Sequence, residues 1–288
     1  MDKIGLVIPC FNNLDVLKIT LPYVYDDKLF TVIFDDNSND GTSLWLEKEY
    51  PEITILKGNG LNWWGGSLEK AIDYCLINGC DYIVSLNADV CITSNTIKKL
   101  IETSKNNDSA IVASLVVDID NPNLVAWAGS VRKKIHRYIP IFTSKYIIKA
   151  GKPTKDLGFE TYDVDEVHGR GVVIPSKVLK IIGNYDSKNF PHYGCDTDFS
   201  LRVKKFGFKM MINPRCISKV FINNTGLPHH NAKSTNKKII SLYNYLTKRK
   251  FGEALTVQWR LSKKHQPFIL IIPNYIFVIL LNIFRRLS

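Results

Sequence analysis

The chain has 288 residues, 45% of them hydrophobic and 23% charged, and its formal net charge is +11. This length and an ordinary hydrophobic content predict one α/β domain with a tail and exclude a disordered chain. The charge is uneven, because residues 2–196 carry 21 Lys and Arg against 25 Asp and Glu, whereas residues 197–288 carry 17 against two. The basic C-terminal third indicates an anionic partner: a membrane surface, a nucleic acid or a phosphorylated lipid.

Strand and helix patterns alternate through the first half of the chain. Runs of β-branched and aromatic residues predict strands at residues 4–8, 31–34, 53–57, 82–86 and 110–117. Apolar residues at helical spacing predict helices at residues 14–21, 42–49, 67–76 and 94–104. The alternation predicts a mainly parallel central sheet with helices on both faces.

The pattern becomes less regular after residue 118. Residues 125–128 and 171–174 have the composition of further strands, and the basic segment 132–158 predicts a loop or a hairpin. No repeat or low-complexity linker marks a domain boundary before about residue 236. We therefore expect a main domain at residues 1–236 and a basic, apolar C-terminal segment at residues 237–288.

The C-terminal segment joins a basic stretch to an uncharged one. Residues 237–250 predict a basic helix, and residues 268–284 carry no charge before Arg285 and Arg286. Such a run reaches only the lower limit of a membrane-spanning helix, and Pro273 interrupts it. We expect an apolar segment that lies in the membrane interface between basic flanks. A helix packed on the core or on a second subunit, as in a homodimer, is the alternative.

The six cysteines show no C-x-x-C pair and no metal-ligand spacing. Most lie in apolar stretches, where a thiol behaves as a small hydrophobic group. The N-terminus enters the first strand directly, with no signal-peptide pattern. Reduced thiols in the cytoplasm are the simplest interpretation.

Carboxylates follow three predicted strands or loops. Asp36 follows the strand at 31–34, Asp89 follows the strand at 82–86, and Asp196 follows a loop rich in aromatic residues. Each has an ordinary interpretation, because turns and first turns of helices also favour Asp. The carboxyl ends of strands are where open α/β sheets bind ligands, so together they predict one site for a metal-bound phosphate ester.

The order of these motifs resembles that of family-two glycosyltransferases, most of all the rhamnosyltransferase-like enzymes of bacterial surface-polysaccharide synthesis. The resemblance spans about residues 4–206 and rests on Val7-Ile8-Pro9-Cys10-Phe11-Asn12, Asp35-Asp36-Asn37-Ser38-Asn39-Asp40-Gly41-Thr42, Leu86-Asn87-Ala88-Asp89, Ile182-Gly183-Asn184-Tyr185-Asp186 and Cys195-Asp196-Thr197-Asp198-Phe199-Ser200-Leu201-Arg202. It implies an inverting enzyme of the GT-A fold. Its donor would be a nucleoside-diphosphate sugar such as dTDP-rhamnose or a UDP-sugar, and its acceptor a lipid-linked or growing saccharide.

The resemblance also implies a nucleotide site and a divalent metal, Mg²⁺ or Mn²⁺. Asp89 corresponds to the last acid of the family's metal-binding D-x-D motif, in which Asn87 here replaces the first acid. His229 lies where relatives place a histidine near the metal. The residues implied to contact the nucleotide are Pro9, Cys10, Phe11, Asn12, Asp36, Gly65, Gly66, Asn87 and Ala88.

Asp196 corresponds to the family's catalytic base, which takes the proton from the acceptor hydroxyl. His168 and Arg170 would lie on the acceptor side. Cys195 stands where relatives commonly have Glu, and Asp198 is expected to be an ordinary helix-start residue. Trp63 and Trp64 are open to two interpretations, as a packing pair or as a stacking surface for the substrate.

We therefore expect a glycosyltransferase held at the inner face of the cytoplasmic membrane by its basic tail. A sugar nucleotidyltransferase is the alternative enzyme, although the first strand is not followed by the glycine-rich basic loop of that class. A basic nucleic-acid-binding protein is the alternative outside enzymes. No helix-turn-helix, zinc-finger or RNP-like pattern accompanies the charge, so nucleic acid is not an expected partner.

Overall fold

The computed structural model describes residues 2–136, 139–221, 243 and 255–287. Within these residues, ten strands form one mixed sheet. Its main order is β10 (Tyr162–Val164), β12 (Met210–Val220), β6 (Ile111–Asp118), β11 (Arg170–Pro175), β4 (Tyr82–Leu86), β1 (Ile4–Cys10), β2 (Phe30–Asp35) and β3 (Thr54–Lys57), with β5 (Val90–Cys91) beside β12 and β7 (Val125–Trp127) beside β6. His229, the boundary at residue 236 and nearly all of the predicted basic helix at 237–250 lie outside the described residues.

The first half of the sheet is parallel. Strand β1 (Ile4–Cys10) lies between β2 (Phe30–Asp35) and β4 (Tyr82–Leu86), and β2 pairs with β3 (Thr54–Lys57). The middle strands have nearly continuous buried apolar residues, as expected when both faces of a parallel sheet are covered. Their positions agree with the predicted strands to within two residues.

Antiparallel strands enter in the second half. Strand β11 (Arg170–Pro175) runs antiparallel between β4 and β6 (Ile111–Asp118), and β6 is parallel to β12 (Met210–Val220). Three short strands pair antiparallel with these longer ones. Strands β5 (Val90–Cys91) and β10 (Tyr162–Val164) pair with β12, and β7 (Val125–Trp127) pairs with β6. The predicted α/β class with a mostly parallel central sheet is confirmed.

A separate hairpin occupies the segment predicted as a loop or hairpin. Its strands are β8 (Ser130–His136) and β9 (Ile139–Tyr146), which pair antiparallel. Before residue 221, the described residues form the helices α1 (Leu14–Val24), α2 (Thr42–Glu49), α3 (Trp63–Ile77), α4 (Ser94–Lys105), α5 (Ser176–Ile182) and α6 (Cys195–Lys205).

Close packing of α3 on the sheet depends on Gly5. A Cβ at Gly5 would lie 2.8 Å from the sulfur of Cys75, so only glycine allows β1 to approach the helix this closely. All six cysteines are buried free thiols, which confirms that they serve as small hydrophobic groups.

Two C-terminal helices follow, α7 (Leu255–His265) and α8 (Ile271–Leu287). They pack on each other through Asn274, whose amide donates to Ser262 Oγ at 3.2 Å, and through the edge-to-face pair of Trp259 and Tyr275. Within the described residues, no helix is long and apolar enough to cross a membrane.

Candidate active site

Parallel pairing brings the predicted nucleotide residues to one edge of the sheet. Cys10 and Asp35 are register partners at the carboxyl ends of β1 and β2, and β4 ends beside them one residue before Asn87. In a sheet of this kind the ligand crevice lies beyond these strand ends. The first strand and the Asp36 loop therefore share one edge with the Asn87–Asp89 turn.

The loop after β1 is fastened to the loop after β2. The backbone N–H of Asn12 donates to Ser38 Oγ at 2.8 Å, and the Asn12 side chain accepts from the N–H of Asn39 at 2.9 Å. Pro9 is buried, whereas the Phe11 side chain is exposed. Among the residues predicted to bind nucleotide, Asn12 thus anchors the loop, and Phe11 has an exposed ring.

Asp36 organises the loop that enters α3. Its buried carboxylate accepts hydrogen bonds of 2.8–3.0 Å from the N–H groups of Gly60, Asn62 and Trp63 and from the Asn62 amide. A carboxylate offers about four acceptor positions, so these four bonds use its capacity. The nucleoside contact implied for Asp36 stays a prediction, while its hold on this loop is a structural fact.

The two tryptophans have different environments. Trp63 has a left-handed backbone (φ +57°), an uncommon conformation for a bulky residue, and its exposed ring lies 5.7 Å from that of His192. Trp64 points inward, where its ring packs edge-on against Tyr185. Helix α3 begins at Trp63, four residues before the predicted start, and Gly65 and Gly66 lie in its first turn.

Trp64 also fixes Asn87. The indole Nε1–H donates to Asn87 Oδ1 at 2.9 Å, and the Asn87 backbone N–H donates to the carbonyl of Gly169 at 2.9 Å. A Cβ at Gly169 would lie 2.6 Å from the Trp64 ring, so the glycine is needed for this contact. The site thereby joins the end of β4, α3 and the segment before β11.

Asp89 carries a buried oxygen without a protein partner. Its Oδ1 has no hydrogen-bond partner among the described residues. Burial raises the pKa of Asp89, and the positive charge of Arg170 acts in the opposite direction. The adjacent Ala88 is buried and its carbonyl accepts from Thr20 Oγ1 at 2.7 Å, which fixes the turn.

Asp196 lies in the first turn of α6 and has a similar environment. Its Oδ1 is buried and has no hydrogen-bond partner within the described part of the chain. Burial raises the pKa of Asp196 from 3.8 to about 7, and the charge of Glu166 adds to this effect. Arg170 and the backbone N–H of Gly169 lower it. A carboxyl group that titrates near neutrality is suited to general-base catalysis.

Arg170 connects the two carboxylates electrostatically, because its charge acts on both Asp89 and Asp196. Its backbone carbonyl accepts hydrogen bonds of 3.0 Å from Ser114 Oγ and from Ser218 Oγ. Gly171 follows with φ +94°, and a Cβ there would lie 2.5 Å from Ser114 Oγ. The hydrogen bonds to its carbonyl and the close packing of Gly171 therefore both fix the backbone at Arg170.

Glu166 is a buried acid that the sequence analysis did not select. It accepts from Ser130 Oγ at 2.8 Å, and although burial alone would raise the pKa of Glu166, neighbours led by His168 lower it. Burial lowers the pKa of His168 to about 4, so this ring is neutral at pH 7, and it stacks on Trp127 at 4.7 Å. The position of Glu166 two residues before His168, with the apolar Val167 between them, was the available signal in the sequence.

Cys195 is not suited to be a nucleophile. Burial raises the pKa of its thiol, and its sulfur contacts the carbonyl of His192 at 3.3 Å. Burial and the charge of Asp35 likewise raise the pKa of Cys10. Both thiols stay protonated, and a thiol is a poor nucleophile.

Asp198 is more than the helix-start residue expected from the sequence. It is fully buried, and three side chains contact its carboxylate: Arg202 of the same helix, and Lys264 and His265 of α7. Burial acts to raise its pKa, but these partners hold the pKa of Asp198 down at about 2. Asp198 does lie in the first turn of α6, as expected, but its partners from α7 were not foreseen because they lie more than 60 residues away in the sequence.

Residues 6–159 match the family model for glycosyl transferase family 2, which is more than half of the 288 residues. The chain belongs to this family. The undecaprenyl-phosphate mannosyltransferase of Micrococcus luteus is 26% identical over 144 residues, 46% of this chain and 59% of that protein. The match thus spans less than two thirds of that relative's length.

Solved structures show the same fold at low sequence identity. GalNAc-T7 with UDP, GalNAc and Mn²⁺ has a TM-score of 0.58 and 13% identity, and the likeness covers 93% of this chain and 52% of that one. The mannosyltransferase PcManGT of Pyrobaculum calidifontis, with GDP-Man and Mn²⁺, has a TM-score of 0.56 and 15% identity over 99% and 72% of the two chains. S. aureus TarS has a TM-score of 0.53 and 11% identity over 91% and 42%. The predicted family and GT-A fold are confirmed, and neither alternative function is favoured.

Proposed function

We propose that this protein is an inverting glycosyltransferase that moves a sugar from a nucleoside-diphosphate sugar to a lipid-linked or growing saccharide. The observation that carries the proposal is the buried, unpartnered Oδ1 of Asp196, on a carboxyl group whose pKa burial raises to about 7. A group of this kind can take a proton near neutral pH. Cell-surface polysaccharide synthesis, with a rhamnosyltransferase-like donor, is the role that the sequence motifs favour.

The proposed reaction is one displacement at the anomeric carbon. The acceptor oxygen forms the new C–O bond as the bond to the diphosphate breaks, and the proton of the acceptor hydroxyl passes to Asp196. The nucleoside diphosphate leaves from the opposite face, so the configuration inverts. His168, neutral at pH 7, and Arg170 would line the acceptor side and orient the hydroxyl.

The residues present fit a divalent cation. The buried, unpartnered Oδ1 of Asp89 is an oxygen ligand of the kind that Mg²⁺ and Mn²⁺ prefer. Within the described residues no cluster of three metal-binding side chains occurs, so a cation at Asp89 would have to complete its shell with substrate phosphates and water. When bound, the cation would stabilise the negative charge of the departing diphosphate. His229 remains a second proposed ligand.

Asp196→Asn tests the assignment of the base. We expect transfer to fall by about 10²–10⁴-fold, the usual contribution of general-base catalysis. Binding of UDP, GDP and dTDP in the presence of Mn²⁺ should be unchanged, because Asp196 faces the acceptor. The assay follows nucleoside-diphosphate release from dTDP-rhamnose, GDP-mannose and UDP-sugars with lipid-linked saccharide acceptors. Transfer by Asp196→Asn at the rate of the unmodified protein would reject the proposal.

We further propose that the protein associates with the inner face of the cytoplasmic membrane through α8. The helix presents an exposed apolar stripe formed by Ile272, Ile276, Leu280 and Phe284, which recur every four residues, and Phe268 and Ile269 precede it. Basic residues flank this stripe at Lys263, Arg285 and Arg286. An apolar face with basic ends is typical of a helix that lies in the interface of an anionic bilayer.

Replacement of Ile272, Ile276 and Leu280 by Ser tests this association. We expect the variant to lose sedimentation with vesicles of phosphatidylglycerol and phosphatidylcholine, since buried apolar area contributes to the binding of amphipathic helices. The matched control replaces the exposed residues Ile19, Tyr23 and Leu44 of the main domain by Ser. Equal sedimentation of the α8 variant and the unmodified protein would contradict the proposal, as would a stable dimer that the substitutions convert to a monomer.

A further inference from the structure

Helix α7 lies against the segment that leads to the proposed base. Near its start, Val257 covers Gly194, where a Cβ would lie 2.6 Å from Val257 Cγ1. One turn later, Arg260 Nη1 donates to the carbonyl of Asn189 at 2.5 Å. These contacts fall on residues 189–194, immediately before Asp196.

The end of α7 contacts the same segment at two acids. Lys264 Nζ lies 2.6 Å from Asp186 Oδ2 and 2.8 Å from Asp198 Oδ1. His265 Nε2 lies 2.7 Å from the same Asp198 oxygen. The other Asp198 oxygen pairs with Arg202 Nε at 3.0 Å. One face of α7 therefore spans residues 186–198 with ionic and apolar contacts.

Because Asp198 is buried, its carboxylate depends on these contacts for stability. Its side chain has 0% exposure, and a buried carboxylate is stable only when it is paired and hydrogen-bonded. Arg202 is anchored separately, by three backbone carbonyls at residues 182–184. Helix α7 thus supplies the side-chain partners that the described residues give to one oxygen of Asp198, in the first turn of α6. That turn also carries Asp196.

We propose that α7 is a positioning element of the active site, which holds the first turn of α6, and with it Asp196, through the pairing of Lys264 and His265 with Asp198. The inference rests on the proposed role of Asp196. It assigns to the C-terminal segment a part in catalysis that is independent of membrane binding. A displacement of about 1 Å at a catalytic group can cost about 100-fold in rate.

His265→Ala in the full chain, with Lys264→Met as a second variant, tests the inference. If His265→Ala does not fold, Lys264→Met still tests the inference, because Lys264 is partly exposed and its replacement leaves the buried packing in place. His265→Gln keeps a donor toward Asp198, and Lys177→Met, at an exposed lysine of α5, is the matched control. Backbone hydrogen exchange over residues 186–199, Mn²⁺-dependent UDP and GDP binding, and sugar transfer are measured for each.

We expect His265→Ala and Lys264→Met to accelerate exchange over residues 186–199 and His265→Ala to reduce transfer by up to about 100-fold, with nucleotide binding unchanged. The acid limb of the pH–rate profile should move to lower pH in His265→Ala, because a loosened turn exposes Asp196 to water and lowers its pKa. His265→Gln should restore much of the rate, and Lys177→Met should match the unmodified protein.

Unchanged exchange and transfer in both His265→Ala and Lys264→Met would overturn the inference. Lower transfer that merely follows a lower folded fraction, with an unmoved pH profile, would also overturn it, because that is the signature of a stabilising contact alone. Hydrogen exchange does not depend on which residue is the base. Failure of the base assignment would therefore appear in Asp196→Asn and not in these exchange rates.

Discussion

Trp64 determines which way the amide of Asn87 points. An indole N–H can only donate, so the atom that it contacts at 2.9 Å is the Asn87 oxygen. The amide NH₂ is therefore the end that remains to face a ligand. Asn87 therefore presents a hydrogen-bond donor, which suits a phosphate or hydroxyl oxygen better than a cation.

Trp64→Phe should weaken nucleotide binding without unfolding the protein. The ring packing is kept, but the hydrogen bond that orients Asn87 is lost, and such a bond contributes about 1 kcal/mol, or about fivefold in affinity. Titration calorimetry with UDP and GDP in the presence of Mn²⁺ measures the change. Trp45→Phe, which alters a ring packed against Tyr50, is the control. Equal affinities in the two variants would contradict the role assigned to Trp64.

Removal of the Asp89 charge should abolish metal-dependent nucleotide binding and leave the fold intact or more stable. Its Oδ1 is buried without a protein partner, and burial raises its pKa, so the ionised group opposes folding. Asp89→Asn is expected to raise the free energy of unfolding by about 1 kcal/mol while Mn²⁺-dependent affinity is lost. Urea denaturation and calorimetry test both, with the exposed Asp163→Asn as control. Retained Mn²⁺-dependent binding would remove Asp89 from the metal site.

The rate of sugar transfer and the stability of the folded protein should change with pH in opposite directions, because both depend on the ionisation of Asp196. The base must be ionised, so transfer is lost as the pH falls through about 7. The folded-state pKa lies above the ordinary value of 3.8, so the folded protein binds the proton more tightly, and stability declines as the pH rises from about 4 to about 7.

Asp196→Asn should therefore remove that decline in stability as well as the rate. Asp198 has the reverse shift, so its contribution to stability is lost only as the pH falls from 3.8 through about 2. Chemical denaturation at a series of pH values separates the two acids. A decline between pH 4 and 7 that persists in Asp196→Asn would show that another group carries it.

The sequence predicted best what depends on local pattern. Strands β1, β2 and β4 are continuous apolar runs because both faces of a parallel sheet are covered, so their bounds were nearly correct. Strand β12 was not predicted, because Asn213, Pro214 and Arg215 interrupt its apolar run where the register with β6 shifts.

Contacts between distant residues could not be read from pattern. The start of α3 was misplaced because its first N–H groups are satisfied by Asp36, which lies 26 residues upstream. The importance of Asp198 was missed for the same reason, since its charge is balanced by residues of α7. The acids were visible in the sequence, but their partners were fixed only by the fold.

Gly65 and Gly66 offer a last test, because adjacent glycines of α3 have different surroundings. A Cβ at Gly65 would lie 2.7 Å and 2.8 Å from the carbonyl oxygens of Phe190 and Pro191, and the Gly65 N–H donates to Pro191 at 2.8 Å. A Cβ at Gly66 would lie 3.3 Å from the Cβ of Asn62. The first contact is with backbone that cannot move away easily, and the second needs only a small shift.

Gly65→Ala is therefore expected to lower the free energy of unfolding by about 2 kcal/mol and to disturb the segment before Asp196. Gly66→Ala should be neutral or raise it by up to about 1 kcal/mol, because alanine favours the helix. A loss of UDP or GDP affinity in Gly66→Ala would then indicate that the bound nucleotide lies close to the backbone at Gly66. Urea denaturation and calorimetry on both variants give the two quantities. If Gly65→Ala were as stable as the unmodified protein, the close contact between α3 and the 190–191 backbone would be wrong.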